Sequence, residues 1–138
     1  MVVTDKISLE TKGHCDIVDI TPQVEQQLAK ANVSSGTVTL FVAGSTAGIT
    51  TIEYEPGLVA DLVQMWQRLV PEDIPYGHDQ RWGDGNGYSH VRAALLGASL
   101  VIPFTGHRLA LGTWQQIVLV DFDNRPRSRQ VVLQIVGE

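Results

Sequence analysis

A single cysteine, Cys15, rules out any disulfide within the chain and fits a reducing compartment. A lone thiol of this kind reads as a small buried side chain, with a nucleophilic role as the alternative. Basic residues are also scarce: ten Lys and Arg against fifteen Asp and Glu give a formal net charge of -5. Broad nucleic-acid binding and docking to an anionic membrane surface both need an excess of cations, so this balance speaks against both. A small phosphate pocket stays open, because it needs only a few local donors. No apolar run is long enough to span a bilayer, and the segment 1–6 lacks the apolar stretch behind basic residues that marks a signal peptide. A soluble, cytoplasmic protein is expected.

What remains describes an ordinary globule. Hydrophobic residues make up 43% of the 138 and charged residues 18%, enough to build a core. No repeat, low-complexity tract or linker divides the chain, so residues 1–138 are expected to form one domain.

The pattern along the chain predicts an α+β fold. Residues 2–11 and 14–20 read as strands around a turn at Lys12-Gly13. Thr21-Pro22 opens a helix, with Thr21 as the cap and Val24, Leu28 and Ala31 on one face. In 37–43, Val38, Leu40 and Val42 alternate with Thr37, Thr39 and Phe41, as in a strand with one inner face. Residues 49–54 resume β-branched character. Pro56 starts the longest helix, with Leu58, Leu62, Trp66 and Leu69 at helical spacing, reinforced by Val59, Val63 and Val70, and Pro71 ending it. Glu55, just before it, is placed to cap the helix and meet its dipole. Ser89 is read as the cap of a short helix through Leu96, stopped by Gly97. Runs at 99–104, 115–122 and 129–136 are β-like, and Leu119-Val120 lies in a stretch apolar on both faces, as a central strand requires. About seven strands with two or three flanking helices point to an antiparallel, sandwich-like sheet arrangement. The helices do not regularly separate neighbouring strands, which excludes a doubly wound parallel sheet.

Chemistry concentrates in Gly83-Asp84-Gly85-Asn86-Gly87-Tyr88-Ser89-His90, with His78 upstream. A glycine-rich turn, a carboxylate, a carboxamide and two imidazoles crowd there, and such loops on a rigid scaffold often carry function. His78 and His90 are candidate metal ligands or acid/base groups, with ordinary surface histidines as the other reading. A calcium loop is rejected because its twelfth position is Leu95. Gly44-Ser45-Thr46-Ala47-Gly48 is either a phosphate-binding turn or a simple bulge, and it lacks the lysine of a P-loop. Glu53 is a candidate base or ligand. Arg108 is a candidate anion clamp, with a salt-bridged turn as its alternative. Arg125, Arg127 and Arg129 read as a solvated hairpin tip, with anion binding or a subunit contact as the alternatives. Trp66 is assigned to the core.

Several segments together resemble one known family. They are 44–53 (GSTAGITTIE), Asp84-Gly85-Asn86-Gly87 with His90, Leu96-Gly97 with Ser99-Leu100, and Gly112-Thr113-Trp114-Gln115 through the terminal Gly137-Glu138. They are similar to the YjbQ family, often labelled secondary thiamine-phosphate synthase, from about Val42 to the end of the chain. The resemblance implies an antiparallel β-sandwich with flanking helices, assembled as a homotrimer. It implies a polar, histidine-containing pocket near the subunit boundary that takes a small phosphorylated metabolite and sometimes a divalent metal, Zn or Mg. His78, Asn86 and His90 fall on the family's polar motif, and Ser45, Thr46, Glu53, Arg108 and Thr113 on its other shared segments. Many members carry His where this chain has Gly44, so a metal is expected to be held weakly and completed by water. The implied activity is a weak transferase reaction joining a pyrimidine pyrophosphate to a thiazole phosphate. In it, His90, Asn86 and Asp84 would be catalytic, Ser45, Thr46, Glu53, Arg108 and Thr113 would bind substrate, and His78 and His90 would hold the metal. The alternatives are a non-catalytic metabolite- or metal-binding trimer and a metal-dependent hydrolase. One pocket is expected to join His78 and His90 to Asp84 or Asn86 and, across a loop or subunit boundary, to Ser45 and Thr46.

Overall fold

The computed structural model describes residues Met1–Glu138. Its strands are β1 (Val2–Thr11), β2 (Asp16–Asp19), β3 (Gly36–Val42), β4 (Ala47–Ile52), β5 (Ser99–Thr105), β6 (Arg108–Leu109), β7 (Gln116–Asp121) and β8 (Arg127–Gly137). Its helices are α1 (Thr21–Lys30), α2 (Pro56–Leu69), α3 (Gly77–Trp82) and α4 (Gly87–Leu96). The strands form a five-stranded sheet in the order β1-β8-β3-β5-β6 and a three-stranded sheet in the order β2-β7-β4. All pairings are antiparallel. The α+β class and antiparallel sheets agree with the sequence reading. The fourth helix, α3, and the two-residue strand β6 were not read from the sequence.

Side-chain alternation explains the layering. On β8, Val131, Leu133 and Ile135 are fully buried and meet Val38 and Leu40 of β3 and Ile7 of β1 in the main core. Ile117 and Leu119 of β7 join that core from the smaller sheet. Their neighbours Val118 and Val120, with Phe122 just beyond the strand, point the other way and pack with Trp66 and Val70 of the α2 segment and Tyr88 and Ala93 of α4. β7 is therefore buried on both faces, which is why its sequence is apolar throughout. Trp66 is 5% exposed and meets Phe122 edge-on, with ring centroids 4.9 Å apart.

Local details depart from the sequence reading for identifiable reasons. The first turn extends beyond Lys12-Gly13 through His14 and Cys15, both with left-handed φ of 54° and 63°. Thr21 does not cap α1: it lies inside the first turn, and its hydroxyl accepts from the Ile117 N–H at 2.8 Å. Asp19 instead takes the Thr21 N–H at 2.9 Å. Glu55 does cap α2, accepting from Gly57 and Leu58 at 2.9 and 2.8 Å. These bonds to the charged form lower its pKa below the ordinary carboxylate value. The buried stripe of α2 runs through Val59, Leu62, Val63 and Trp66 to Val70, whereas Leu69 is exposed. Ser89 does not cap α4, which begins two residues earlier; its hydroxyl donates back to the Asn86 carbonyl. Cys15 is buried, and burial pushes its thiol up to about 11 despite the opposing charge of Arg92. It is therefore a thiol at neutral pH.

Candidate functional site

Two short helices and their connection place the histidines. Gly83 ends α3 with φ 70°, and Gly85 turns the loop with φ 69°, a backbone region that side-chain-bearing residues avoid. This reversal brings α3 back against the start of α4, where Asp79 Oδ1 accepts from the Gly87 N–H at 2.8 Å. His78 on α3 and His90 on α4 consequently meet face to face, with ring centroids 4.4 Å apart and a tilt of 36°. His78 Nδ1 lies 3.3 Å from Asp84 Oδ1 and 3.7 Å from Asp79 Oδ1. With its amide oriented to donate, Asn86 reaches both Asp84 carboxylate oxygens at 2.9 and 3.0 Å. Asn124 anchors the same loop from the β7–β8 connection, donating to the Asp84 carbonyl at 2.9 Å.

Across from this loop lies a pocket of about 360 Å³. His90, Asn86 and Asp84 form one wall, and Ser45 and Thr46 from the β3–β4 connection form another. The third wall is Asp123 with Arg125, Arg127 and Arg129. Ser45 and Thr46 thus come from the same chain as His90, across a loop. Arg129 is not at a solvated hairpin tip. It belongs to β8, in phase with inward-facing Val131, and is 5% exposed. Its Nε and Nη2 donate to the two oxygens of Asp121 at 2.7 and 2.8 Å. Nη2 also reaches Thr46 Oγ1 at 2.6 Å, and that hydroxyl donates to Asp123 at 2.9 Å. Thr46 is therefore committed to holding the wall. Burial alone would raise the Asp121 pKa, but hydrogen bonds from Arg129, Thr11 and the Asp123 N–H outweigh it and hold the carboxyl below its ordinary value. Arg127 Nη1 lies 3.4 Å from Asp123, and Arg125 is exposed at the rim.

The remaining expected residues lie elsewhere. Glu53 and Thr113 line a separate, open depression with Trp114 and Gln115. Arg108 is exposed on β6 and lines neither cavity. Among groups able to hold a cation, His78, Asp79 and Asp84 present ligand atoms within 4.8 Å of one another. His90 packs beside this cluster through its ring. Asp79 and Asp123 were missed as site residues, and Arg129 was read first as part of a hairpin tip, with anion binding only as an alternative. For Arg129 the signal was present: it continues the inward alternation of Val131, Leu133 and Ile135. Asp79 adjoins His78, but its role depends on a helix that no periodicity announces.

Residues 5–138 match the family described as UPF0047 protein, YjbQ-like. The chain belongs to the YjbQ family. A UPF0047 protein from Archaeoglobus fulgidus is 36% identical over 129 residues, covering 94% of this chain and 98% of that protein. YugU from Bacillus subtilis, another UPF0047 protein, is 32% identical over 133 residues, covering 95% and 97%. The crystal structure of a YbjQ-like protein of unknown function from Sulfolobus solfataricus superposes with a TM-score of 0.94 at 36% identity, covering 100% of this chain and 99% of that one. No helix in this YjbQ-family chain is long and apolar enough to cross a membrane.

Proposed function

We propose that the arginine-lined pocket binds a small phosphorylated metabolite. The observation that carries this reading is the disposition of Arg129. Its Nε and Nη2 make every hydrogen bond the guanidinium has within the chain, which leaves Nη1 free at the pocket wall. A buried, pre-oriented guanidinium with a free N–H is a strong donor to a phosphate oxygen. Arg125 and Arg127 add cations at the rim, and exposed Ser45 adds a hydroxyl. The anion is thus selected by local donors in a chain whose overall charge is negative.

On this reading protonated His90, the imidazole that lines the pocket, is the general acid that gives its proton to the departing pyrophosphate oxygen. His78 backs its ring, Asp84 faces His78 across 3.3 Å, and Asn86 holds Asp84. The transferase activity that fits is of the thiamine-phosphate synthase type. In it, the pyrimidine methylene carbon forms a bond to the thiazole nitrogen while its bond to pyrophosphate breaks. The arginines neutralise the departing pyrophosphate. Where a divalent ion takes part, His78, Asp79 and Asp84 are the groups that fit it. His78 Nδ1 is buried without a hydrogen-bond partner, and two carboxylates face it. One imidazole and two carboxylates suit Zn or Mg held weakly and completed by water.

A non-catalytic binding role is the second reading, favoured by how the pocket carboxylates are occupied. Asp123 is tied to Thr46 and Arg127, and Asp84 to Asn86. The two readings separate in an assay of purified protein with both thiamine precursors and defined metal. Transfer predicts product from wild type and none from His90→Ala, with inorganic phosphate binding retained in the variant. Phosphate binding without product supports the binding role. A His90→Ala protein that turns over like wild type removes His90 from the mechanism.

A homotrimer belongs to the same proposal. Its support is a set of exposed apolar side chains on the outer face of the five-stranded sheet: Phe41 opposite Val132, Val101 diagonal to Phe41, and Val136 farther along β8.

A further inference from the structure

A second cavity, of about 400 Å³, adjoins the arginine chamber, and the two share Gly44, Ser45 and His90 as lining. The character of the lining changes sharply between them. The second cavity is walled by Ala93, Ala94, Gly97 and Ala98, from the end of α4 and the turn into β5. Three of its backbone acceptors are used within the fold: the Ala93 carbonyl takes the Gly97 N–H at 2.9 Å, the Gly97 carbonyl the Ile49 N–H at 3.1 Å, and the Ala98 carbonyl the Val42 N–H at 2.9 Å. Apart from the shared residues, its lining offers no polar side chain to a hydroxyl or a charge, and leaving such a group unpaired against an apolar wall is costly. The shared residue Gly44 leaves the inner arginine uncovered. A Cβ at that position would fall 2.7 Å from Arg129 Nη1, the guanidinium nitrogen with no bond inside the chain, on a side chain only 4% exposed.

We propose that the two cavities form one bipartite site, taking a phosphomonoester with an uncharged, apolar body. The phosphate lies in the arginine chamber against Arg129 Nη1. The body lies in the alanine-lined groove, and Ser45 and His90 flank the ester linkage at the junction. This rests on the reading of the arginine chamber as a phosphate site and adds a selectivity to it. Sugar and polyol phosphates carry several hydroxyls that no side chain of the groove can pair, so they gain little from it. Aryl or alkyl phosphates gain from burial of their apolar surface.

The test is calorimetric titration with inorganic phosphate, glycerol phosphate and phenyl phosphate. Phenyl phosphate should bind about tenfold or more tighter than the other two, as burial of a modest apolar area predicts. Ala94→Leu fills the groove from an exposed helical position that tolerates leucine. It should remove the advantage of phenyl phosphate and leave inorganic phosphate binding unchanged. As a check independent of any variant, the phenyl protons should show NOEs to the Ala94 and Ala98 methyl groups in wild type. If inorganic phosphate binds but phenyl phosphate binds no tighter, or if those NOEs are absent, the bipartite site is wrong and the phosphate site stands. If no phosphate species binds wild type, both readings fall together.

Discussion

Arg129 shows how one side chain can be both scaffold and site. Two of its nitrogens hold Asp121 and Thr46, and the third faces the pocket. Removing it would leave the fully buried Asp121 without its cation, so Arg129→Ala should lower stability by about 3–5 kcal/mol, read from denaturant unfolding. A loss under about 1 kcal/mol would mean that water enters and replaces the guanidinium. Asp121 also sets a pH dependence. Its folded-state pKa is depressed, so its contribution is complete above the ordinary carboxylate value and is lost as the pH falls through the lower folded one. Stability should drop on acidification below about pH 4, and Asp121→Asn should flatten that part of the curve. An unchanged acid limb in the variant would assign the acid sensitivity to other carboxylates. At this scale the sequence was partly legible. The crowding of His78, Asp84, Asn86 and His90 could be read from glycine spacing. The burial of Arg129 could have been read from its phase on β8, but three arginines around a proline look like a surface turn. Arg92, 1% exposed with its Nε on the Val70 carbonyl at 3.0 Å, gave no signal, since a single arginine on a short helix normally reaches solvent.

Elements position these residues through a few packing contacts. α2 lies on the outer face of the three-stranded sheet because Trp66 docks on Phe122, and α4 packs beside it through Tyr88 and Ala93. Trp66→Ala should cost about 3–5 kcal/mol and spare phosphate binding at temperatures where the variant remains folded. A variant that melts like wild type but loses the ligand would place Trp66 in the site. The helical period of α2 was plain, and Val59, Leu62, Val63, Trp66 and Val70 lie on the face it indicated, but Leu58 and Leu69 were read with them and stand outside that cluster. A wide apolar face accommodates Leu58 and Leu69 at its edges as readily as Val59 and Val63, and only docking against β7 selects which of them are covered. α3 was invisible for a different reason. Its six residues, Gly77–Trp82, include none that are buried, so no apolar period exists to detect. It is held by its connection to Gly87 and by the left-handed Gly83.

For the molecule as a whole, pairing is dominated by contacts distant in sequence. β1 pairs with β8 along its full length, Val2 opposite Val136 and Thr11 opposite Arg127. Strand existence was therefore readable from alternation, and the central position of β7 from its two apolar faces. The division into sheets of five and three strands was not, because nothing local encodes which strand meets which. The outer face of the larger sheet carries the apolar side chains assigned to subunit contact, and light scattering at micromolar concentration should return a trimer mass. A monomer mass would remove that assembly and leave their exposure unexplained. The central claim is that the chamber between the histidine loop and Arg129 is a phosphate site. Its most direct test is a crystal structure of the protein soaked in inorganic pyrophosphate. We expect the anion on Arg129 Nη1 and Ser45, with His90 beside it and Arg125 or Arg127 turned inward. A chamber filled only by water, with His78 and His90 pointing apart into solvent, would contradict the account.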